Sequence, residues 1–513
     1  MDRKFPLHPF LFALYPILSF WVTNKNFVFL SETWRTLTVC LGGTGILYLV
    51  FWLLSRNKGK SALLTSLLVV VILYFGHVYF SIQGLVPFFD QPVPYFTLWF
   101  LGLLAGLYLA LRVYKQNELV NTYLNWVSLI LVVFPLLQAI QISISRLGSG
   151  DSQALASDAS GSVQNVNSEH QRPDIYYIIL DGYGRADALS EFFSFDNSSF
   201  LNALRQRGFY VADQSYTNYM QTFLSISSSL NGTYLEEAQF DPSSDDRTII
   251  HAYLNKSAHL ERFRELGYEI IALQDADSLL HLNTADQVIP VSLTLNNFEL
   301  GFHELTLGRF WSPALYEYTQ WEIIRAQLNV IETLPLSSER PRFIFAHLLI
   351  PHPPFVFDPD GNFVTTNLYM AGDGSHYGGT RQGYVSGYTG QVQYINSRVI
   401  KLLDRLLGNL EHPVVIILQG DHGPGSYLDW ASLENTCLRE RLPILNAYYF
   451  PEGTKRTGLY ATISPVNSFR VVFNQILDQP MSLLEDRSFY SEWDRPYDLI
   501  DVTDSKDTCT PLQ

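Results

Sequence analysis

The sequence predicts two unlike parts: an all-α membrane domain of five transmembrane helices, followed by an α/β domain with a largely parallel central sheet. Three observations carry this. Five long apolar stretches crowd the first 145 of 513 residues. Beyond them, short apolar runs alternate with longer amphipathic ones. The charge also divides: residues 1–145 carry a net +5 and the remainder −20, within a total of −15. Hydrophobic residues make up 47% and charged residues only 16%, a shift toward membrane proteins. The acidic total excludes a general nucleic-acid binder, since such domains are basic.

The apolar stretches run over Phe5–Thr23, Leu37–Leu54, Leu63–Ile82, Val93–Leu111 and Tyr123–Ile144. Each is long enough, or nearly so, to cross about 30 Å of hydrocarbon as a helix. Trp21, Trp52, Trp99 and Tyr123 lie near their ends or flanks, where amphipathic rings settle. The first stretch has the length of a signal peptide. No small-residue cleavage site follows it and four more spans do, so a retained helix is expected.

Orientation follows from the basic residues. Arg3 and Lys4 precede the first span, Arg56, Lys58 and Lys60 separate the second and third, and Arg112 and Lys115 separate the fourth and fifth. The alternate loops hold only Lys25 and Arg35. Cytoplasmic loops are the basic ones, so the N-terminus is expected in the cytoplasm and everything after the fifth span outside. A multi-pass cell-membrane protein with an extracytoplasmic C-terminal domain results. Residues 146–171, rich in Gly, Ser and Ala, read as a flexible tether, and 172–513 as the outer domain.

In the outer domain the strand candidates are Ile175–Leu180, Glu269–Leu273, Phe343–Ile350, Val414–Leu418 and Leu445–Phe450. Helix candidates include Ser198–Arg207, Leu260–Leu266 and Gln391–Leu407. Strand–helix alternation of this kind gives a mostly parallel sheet, with its site beyond the carboxyl ends of the strands. Two strand ends carry chemistry. Ile175–Leu180 runs into Asp181-Gly182, and Val414–Leu418 runs into Gln-Gly-Asp421-His422-Gly423. Asp181, Asp421 and His422 would offer O, O and N ligands to a divalent ion, a set suited to Zn²⁺ or Mn²⁺. Taken alone, Asp-Gly after a strand is usually a turn, and Asp-His-Gly is a turn about as often as not.

A third element joins them. Asn218-Tyr-Met-Gln-Thr222 leads into a Ser-rich helix starting near Thr222. A helix N-terminus presents free N–H groups and the positive end of its dipole, which suits a phosphate or sulfate. A metal-held hydroxyl there could attack phosphorus. The alternative is that Thr222 only caps the helix.

The order Asp-Gly after a strand, Thr opening a Ser-rich helix, Pro351-His-Pro-Pro-Phe355, then Asp-His-Gly resembles the alkaline phosphatase/sulfatase superfamily. It is most similar to the membrane-anchored branch, with lipoteichoic acid synthases and phosphoethanolamine transferases. The resemblance covers roughly 172–480. It implies one divalent metal, Mn²⁺ or Zn²⁺, on Asp181, Thr222, Asp421 and His422. It also implies Thr222 as the nucleophile and His352 as a histidine facing the substrate. His347, on the preceding strand, is expected to pack in or beside that strand. The implied reaction moves a phosphoryl-linked head group, of the phosphoglycerol or phosphoethanolamine type, from a membrane lipid donor. The acceptor would be an extracytoplasmic glycan, polyol or lipid hydroxyl.

A sulfatase-like hydrolase, cleaving phosphodiesters or sulfuric esters, is the alternative on the same scaffold. A non-enzymatic membrane sensor is disfavoured by the presence of the whole residue set. Formylglycine sulfatases need Cys/Ser-x-Pro-x-Arg, and none of Cys40, Cys437 and Cys509 sits in one. Two-metal relatives need a further Asp-x-x-x-His and a late histidine. No histidine follows His422, and Asp277-Ser-Leu-Leu-His281 reads as a helix surface. Cys437 and Cys509 could pair in an oxidising compartment, which spacing alone does not decide.

Overall fold

The computed structural model describes residues 6–83, 85, 92–113, 118–149, 172–275, 277–291, 295–408, 413–454 and 458–510. Of the expected tether, 146–149 continue the last membrane helix, Glu118–Ser149, and 150–171 lie outside the described residues. Arg3, Lys4 and Lys115, which contribute to the expected orientation, also lie outside them.

The chain divides into two compact units, Met1–Ala154 with Leu295–Leu315, and Leu155–Thr294 with Tyr316–Gln513. Among the described residues of the first unit, three helices are long and apolar enough to cross a membrane: Leu30–Ser55, Pro94–Arg112 and Leu119–Ile144. A fourth span is reached if Lys58–Leu73 and Phe75–Ile82, bent by 53° at their junction, are one crossing. The first apolar stretch forms only the 16-residue helix His8–Thr23, short of a full crossing at 1.5 Å per residue.

The same unit takes in a segment from far along the chain. Helix Asn297–Glu304, closed at its start by an Asn296–Glu299 capping box, lays Phe298 and Phe302 against Phe20, at ring separations of 5.2 and 6.2 Å. Glu299 pairs with Arg35. The span expected as the outer domain, 172–513, thus contains a stretch that clusters with the apolar helices.

The second unit is built on a seven-stranded sheet. Its strands are β1 (Asp174–Leu180), β2 (Tyr210–Val211), β3 (Glu269–Leu273), β4 (Gln287–Ile289), β5 (Arg342–Leu348), β6 (Val414–Gln419) and β7 (Asn446–Tyr449). Their spatial order is β2-β7-β6-β1-β5-β3-β4. β6, β1, β5, β3 and β4 run parallel, and β7 pairs antiparallel with both β6 and β2. β1 lies in the middle and reads Asp-Ile-Tyr-Tyr-Ile-Ile-Leu, with no polar alternation, as a strand covered on both faces must. Tyr176, Ile178 and Leu180 enter one hydrophobic core and Ile175, Tyr177 and Ile179 the other. Helix Thr222–Asn231 adds Leu224, Ile226 and Leu230 to the second core. The buried Tyr177 hydroxyl is satisfied by Ser229 and Gln419, tying that helix to β6 through the central strand.

All five expected strands are present, within two residues at either end. The helix expected over Gln391–Leu407 starts earlier, at Arg381, where Thr380 caps it. Asp277–His281 is a single 3-10 turn rather than a helix face, with Asp277 capping it by accepting from the Leu279 N–H.

Candidate active site

The carboxyl ends of β6, β1, β5 and β3 converge, and each delivers titratable side chains. β1 stops at Leu180 because the chain turns sharply at Gly182. There φ is +73°, a left-handed conformation that a residue with a Cβ adopts at a cost of about 1–2 kcal/mol. The turn is locked to the loop after β5: Asp181 N–H donates to Leu348 O and His352 N–H to Asp181 O, both at 3.0 Å. It is locked to the loop after β6 as well, since Gly182 N–H donates to Asp421 Oδ1 at 3.0 Å.

Thr222 is the first residue of its helix and Gln221 the N-cap, so Thr222 does not cap. Ser225, Ser228 and Ser229 of this helix have specific partners. Ser225 Oγ donates to the Asp421 carbonyl at 2.8 Å, and Thr217 Oγ1 donates to the same oxygen. The helix start and the Asp421-His422 turn therefore hold each other.

At the centre is His422 Nε2. It lies 3.1 Å from Thr222 Oγ1, 3.3 Å from Asp421 Oδ2 and 3.4 Å from Asp181 Oδ1. The other ring nitrogen, Nδ1, is 3.0 Å from the Gly423 carbonyl, which can only accept, so Nδ1 carries the hydrogen. Burial, helped by nearby Arg441, lowers the His422 pKa against the pull of the carboxylates. The neutral ring then directs an Nε2 lone pair at the three oxygens. Asp181 Oδ1 and Asp421 Oδ2 are buried and have no hydrogen-bond partner among the described residues. Two buried, orphaned carboxylate oxygens around an imidazole lone pair and a hydroxyl fit a divalent cation. The expected set Asp181, Thr222, Asp421 and His422 is thus brought together around one point.

His352 sits beside it, its ring 6.0 Å from that of His422. The His352 side chain is 18% exposed, whereas those of His422 and Asp181 are 1% and 4% exposed, so within this cluster His352 is open to a ligand. Its Nδ1 donates to Pro353 O at 2.5 Å, and its Nε2 is 3.3 Å from Asp373 Oδ2. Burial alone would lower its pKa, but Asp373 and Asp181 raise it. Burial opposes ionisation of Asp181 too. The charge on His352 and the hydrogen bond and charge of His347 outweigh it and keep Asp181 a carboxylate.

Several residues here escaped sequence reasoning. His347 is buried on β5, but it does more than pack: Nε2 is 3.2 Å from Asp181 Oδ2 and Nδ1 is 2.6 Å from Asp275 Oδ2. Despite burial, Asp275 and Asp181 raise its pKa well above the usual value. Asp275 stands two residues past β3, so the strand-end rule that pointed to Asp181 would have found it. Asp373 accepts from Tyr384 Oη and Arg441 Nη1, each at 2.5 Å. Neither Asp373 nor Arg441 has a motif around it. Asp277 and His281 do not join the cluster: His281 Nε2 meets the Asp275 carbonyl at 3.1 Å. Cys437 and Cys509 form a disulfide.

A mostly parallel sheet with carboxylates and imidazoles gathered past its strand ends, facing a hydroxyl at a helix start, is an arrangement suited to a divalent cation and to ester chemistry. Residues 173–461 match the Sulfatase family model, and the chain belongs to that family. It is a sulfatase-like enzyme. No curated protein matches it. Among solved structures it is similar to the C-terminal periplasmic domain of EcEptC from Escherichia coli in complex with Zn, at 11% identity and TM-score 0.45. That match covers 66% of this chain and 94% of the other. It is also similar to the integral membrane protein lipooligosaccharide phosphoethanolamine transferase A (EptA) from Neisseria meningitidis, at 14% identity and TM-score 0.40, over 91% and 93% of the two chains. A putative sulfatase from Bacteroides thetaiotaomicron VPI-5482 matches at 12% identity and TM-score 0.39, over 63% and 79%.

Proposed function

We propose that this protein moves a phosphoryl-linked head group, of the phosphoglycerol or phosphoethanolamine type, from a membrane lipid to a hydroxyl acceptor outside the membrane. The transfer passes through a phospho-threonine at Thr222. The observation that carries this reading is Thr222 Oγ1 at 3.1 Å from His422 Nε2, at a helix start and beside the orphaned oxygens of Asp181 and Asp421. A divalent cation, Zn²⁺ or Mn²⁺, bound by Asp181, Thr222, Asp421 and His422 would supply positive charge for the Thr222 alkoxide and the phosphoryl oxygens.

The chain's own residues divide the remaining work. The first N–H groups of helix Thr222–Asn231 and its dipole favour the phosphoryl group. Thr222, its proton lost to solvent, attacks phosphorus as the bond to the lipid alkoxide breaks. His352, with its pKa held up by Asp373 and Asp181, hands its proton to that alkoxide. The acceptor hydroxyl then returns a proton to His352 and attacks the phospho-threonine, freeing Thr222. His347, bonded to Asp275, holds Asp181 by one oxygen and leaves Oδ1 open.

The membrane part, 1–145, would cross five times if the short helix His8–Thr23 and the bent pair Lys58–Leu73 and Phe75–Ile82 each make one crossing, with the N-terminus in the cytoplasm. The tether 146–171, its first four residues still helical, would lead to the catalytic domain, 172–513 apart from Leu295–Leu315, outside. Arg56, Lys58 and Lys60 between the second and third apolar stretches support the orientation, and the Cys437–Cys509 disulfide supports an oxidising compartment for the domain. Such an anchor keeps the site close to lipid donors.

The rival is hydrolysis on the same site, with water as final acceptor, on a phosphodiester or a sulfuric ester. Incubating the purified full-length chain with membrane lipids and reading the mass of the Thr222 peptide tests transfer directly. A head-group adduct on Thr222, absent from Thr222→Ala and discharged faster by added glycans than by water, is the expected result. Fast turnover of a soluble sulfate or phosphate ester, indifferent to any acceptor, would establish the hydrolase instead.

A further inference from the structure

Beside Thr222 lies a set of aromatic rings that the reaction above does not use. Phe223, the next residue, meets Trp493 at 6.3 Å. Trp493 stands edge-on to Trp430 at 5.2 Å and to His376 at 5.4 Å, the latter at 88°. His376 stacks on Trp430 at 6.0 Å. Trp430 is buried, Trp493 half-buried and His376 exposed. Two rings at right angles thus form a corner, exposed at His376 and partly exposed at Trp493, with a third behind them.

The corner is tied to the reacting residues. Asp373, three positions before His376, meets His352 with its carboxylate and accepts from Trp430 Nε1 with its carbonyl, at 3.0 Å. Two buried guanidinium groups lie over these rings: Arg247 is 4.3 Å from Trp493 and Arg441 5.3 Å from Trp430.

Open aromatic rings take either a cation or the C–H face of a sugar. Here the guanidinium groups already occupy the attraction of Trp493 and Trp430 for positive charge, and they would repel an incoming ammonium. A neutral ring meets no such repulsion. Burial lowers the His376 pKa, so its ring is neutral at neutral pH. The exposed Asp494, next to Trp493, offers a carboxylate to hydroxyl groups.

We propose that the Trp493–His376 corner, backed by Trp430, is a subsite for a neutral sugar ring that brings the acceptor hydroxyl to Thr222. Its role as acceptor site rests on the transfer reading; the binding of the ring does not.

Saturation-transfer NMR tests it on the full-length chain in a detergent without a sugar head group. The probes are methyl glycosides of glucose, galactose, mannose and N-acetylglucosamine, with choline as the cationic rival. At least one glycoside should receive saturation at its ring C–H protons. The signal should fall at least fivefold in Trp493→Leu and in His376→Ala, and persist in Thr222→Ala. His376 is exposed, so its variant guards against loss of fold. No glycoside signal, equal signals in both variants, or saturation of choline alone would overturn the subsite. Sugar binding without a Thr222 adduct would retain the subsite and refute transfer. An adduct without sugar binding would do the reverse.

Discussion

His347 Nδ1 lies 2.6 Å from Asp275 Oδ2, joining the ends of the neighbouring strands β5 and β3 just behind Asp181. His347 Nε2 lies 3.2 Å from Asp181 Oδ2, so the pair can act on a bound cation by orienting Asp181. Partners of this kind typically change metal affinity or activity by about 10–100-fold. Asp275→Asn and His347→Gln should each weaken cation binding by about that factor, measured by equilibrium dialysis, with the fold retained. Unchanged affinity in both variants would reduce the pair to packing.

The Cys437–Cys509 bond closes a stretch of 72 residues. Loop-closure entropy puts its contribution at about 4 kcal/mol. Replacing both cysteines with Ala should lower the thermal midpoint of the second unit by about 5 °C, read by tryptophan fluorescence. An unshifted midpoint would mean that the bond constrains little in the unfolded chain.

His259 is buried against Phe469 and Phe473. Burial, then the charge of Arg470, brings its pKa down from 6.5 to about 3. Between those values the unfolded chain binds a proton that the folded chain refuses. Its stability contribution is therefore complete above pH 6.5 and is lost as pH falls toward 3. The denaturation midpoint should drop from pH 7 to pH 4 more steeply in the parent than in His259→Gln. Parallel slopes would contradict the assignment.

Topology is tested by a reporter active only outside the cytoplasm. Fused after Gln513 it should be active, and inserted in the Arg56–Lys60 loop it should be silent. The reverse pattern would refute both the orientation and an outward-facing site.

Local pattern alone was enough for the strands, while the candidate site needed the order of several motifs read together. β1 and β6 announce themselves because a strand buried on both faces must be apolar throughout, and Asp181, Asp421 and His422 follow because the chain has to leave the sheet there. Thr222 was legible as a helix start. Span number was less legible: hydropathy marked five stretches, but the first folded as 16 helical residues and the third broke at Leu73–Phe75 with a 53° bend. Apolar composition measures burial in hydrocarbon, not where a helix stops.

Long-range partnership was decided only in three dimensions. Nothing near Asp373 in the chain announces His352 or Arg441, which are 21 residues before it and 68 after it. Nothing near Phe298 announces Phe20. His347 reads as one more apolar-strand residue until β3 and β1 fall on either side of β5 and set a carboxylate against each ring nitrogen. The sequence by itself determined which residues end strands and start helices, because those choices depend on neighbours a few positions away. Tertiary structure alone decided which charges face one another, because burial makes an unpaired charge costly and a fold can supply its partner from any distance along the chain.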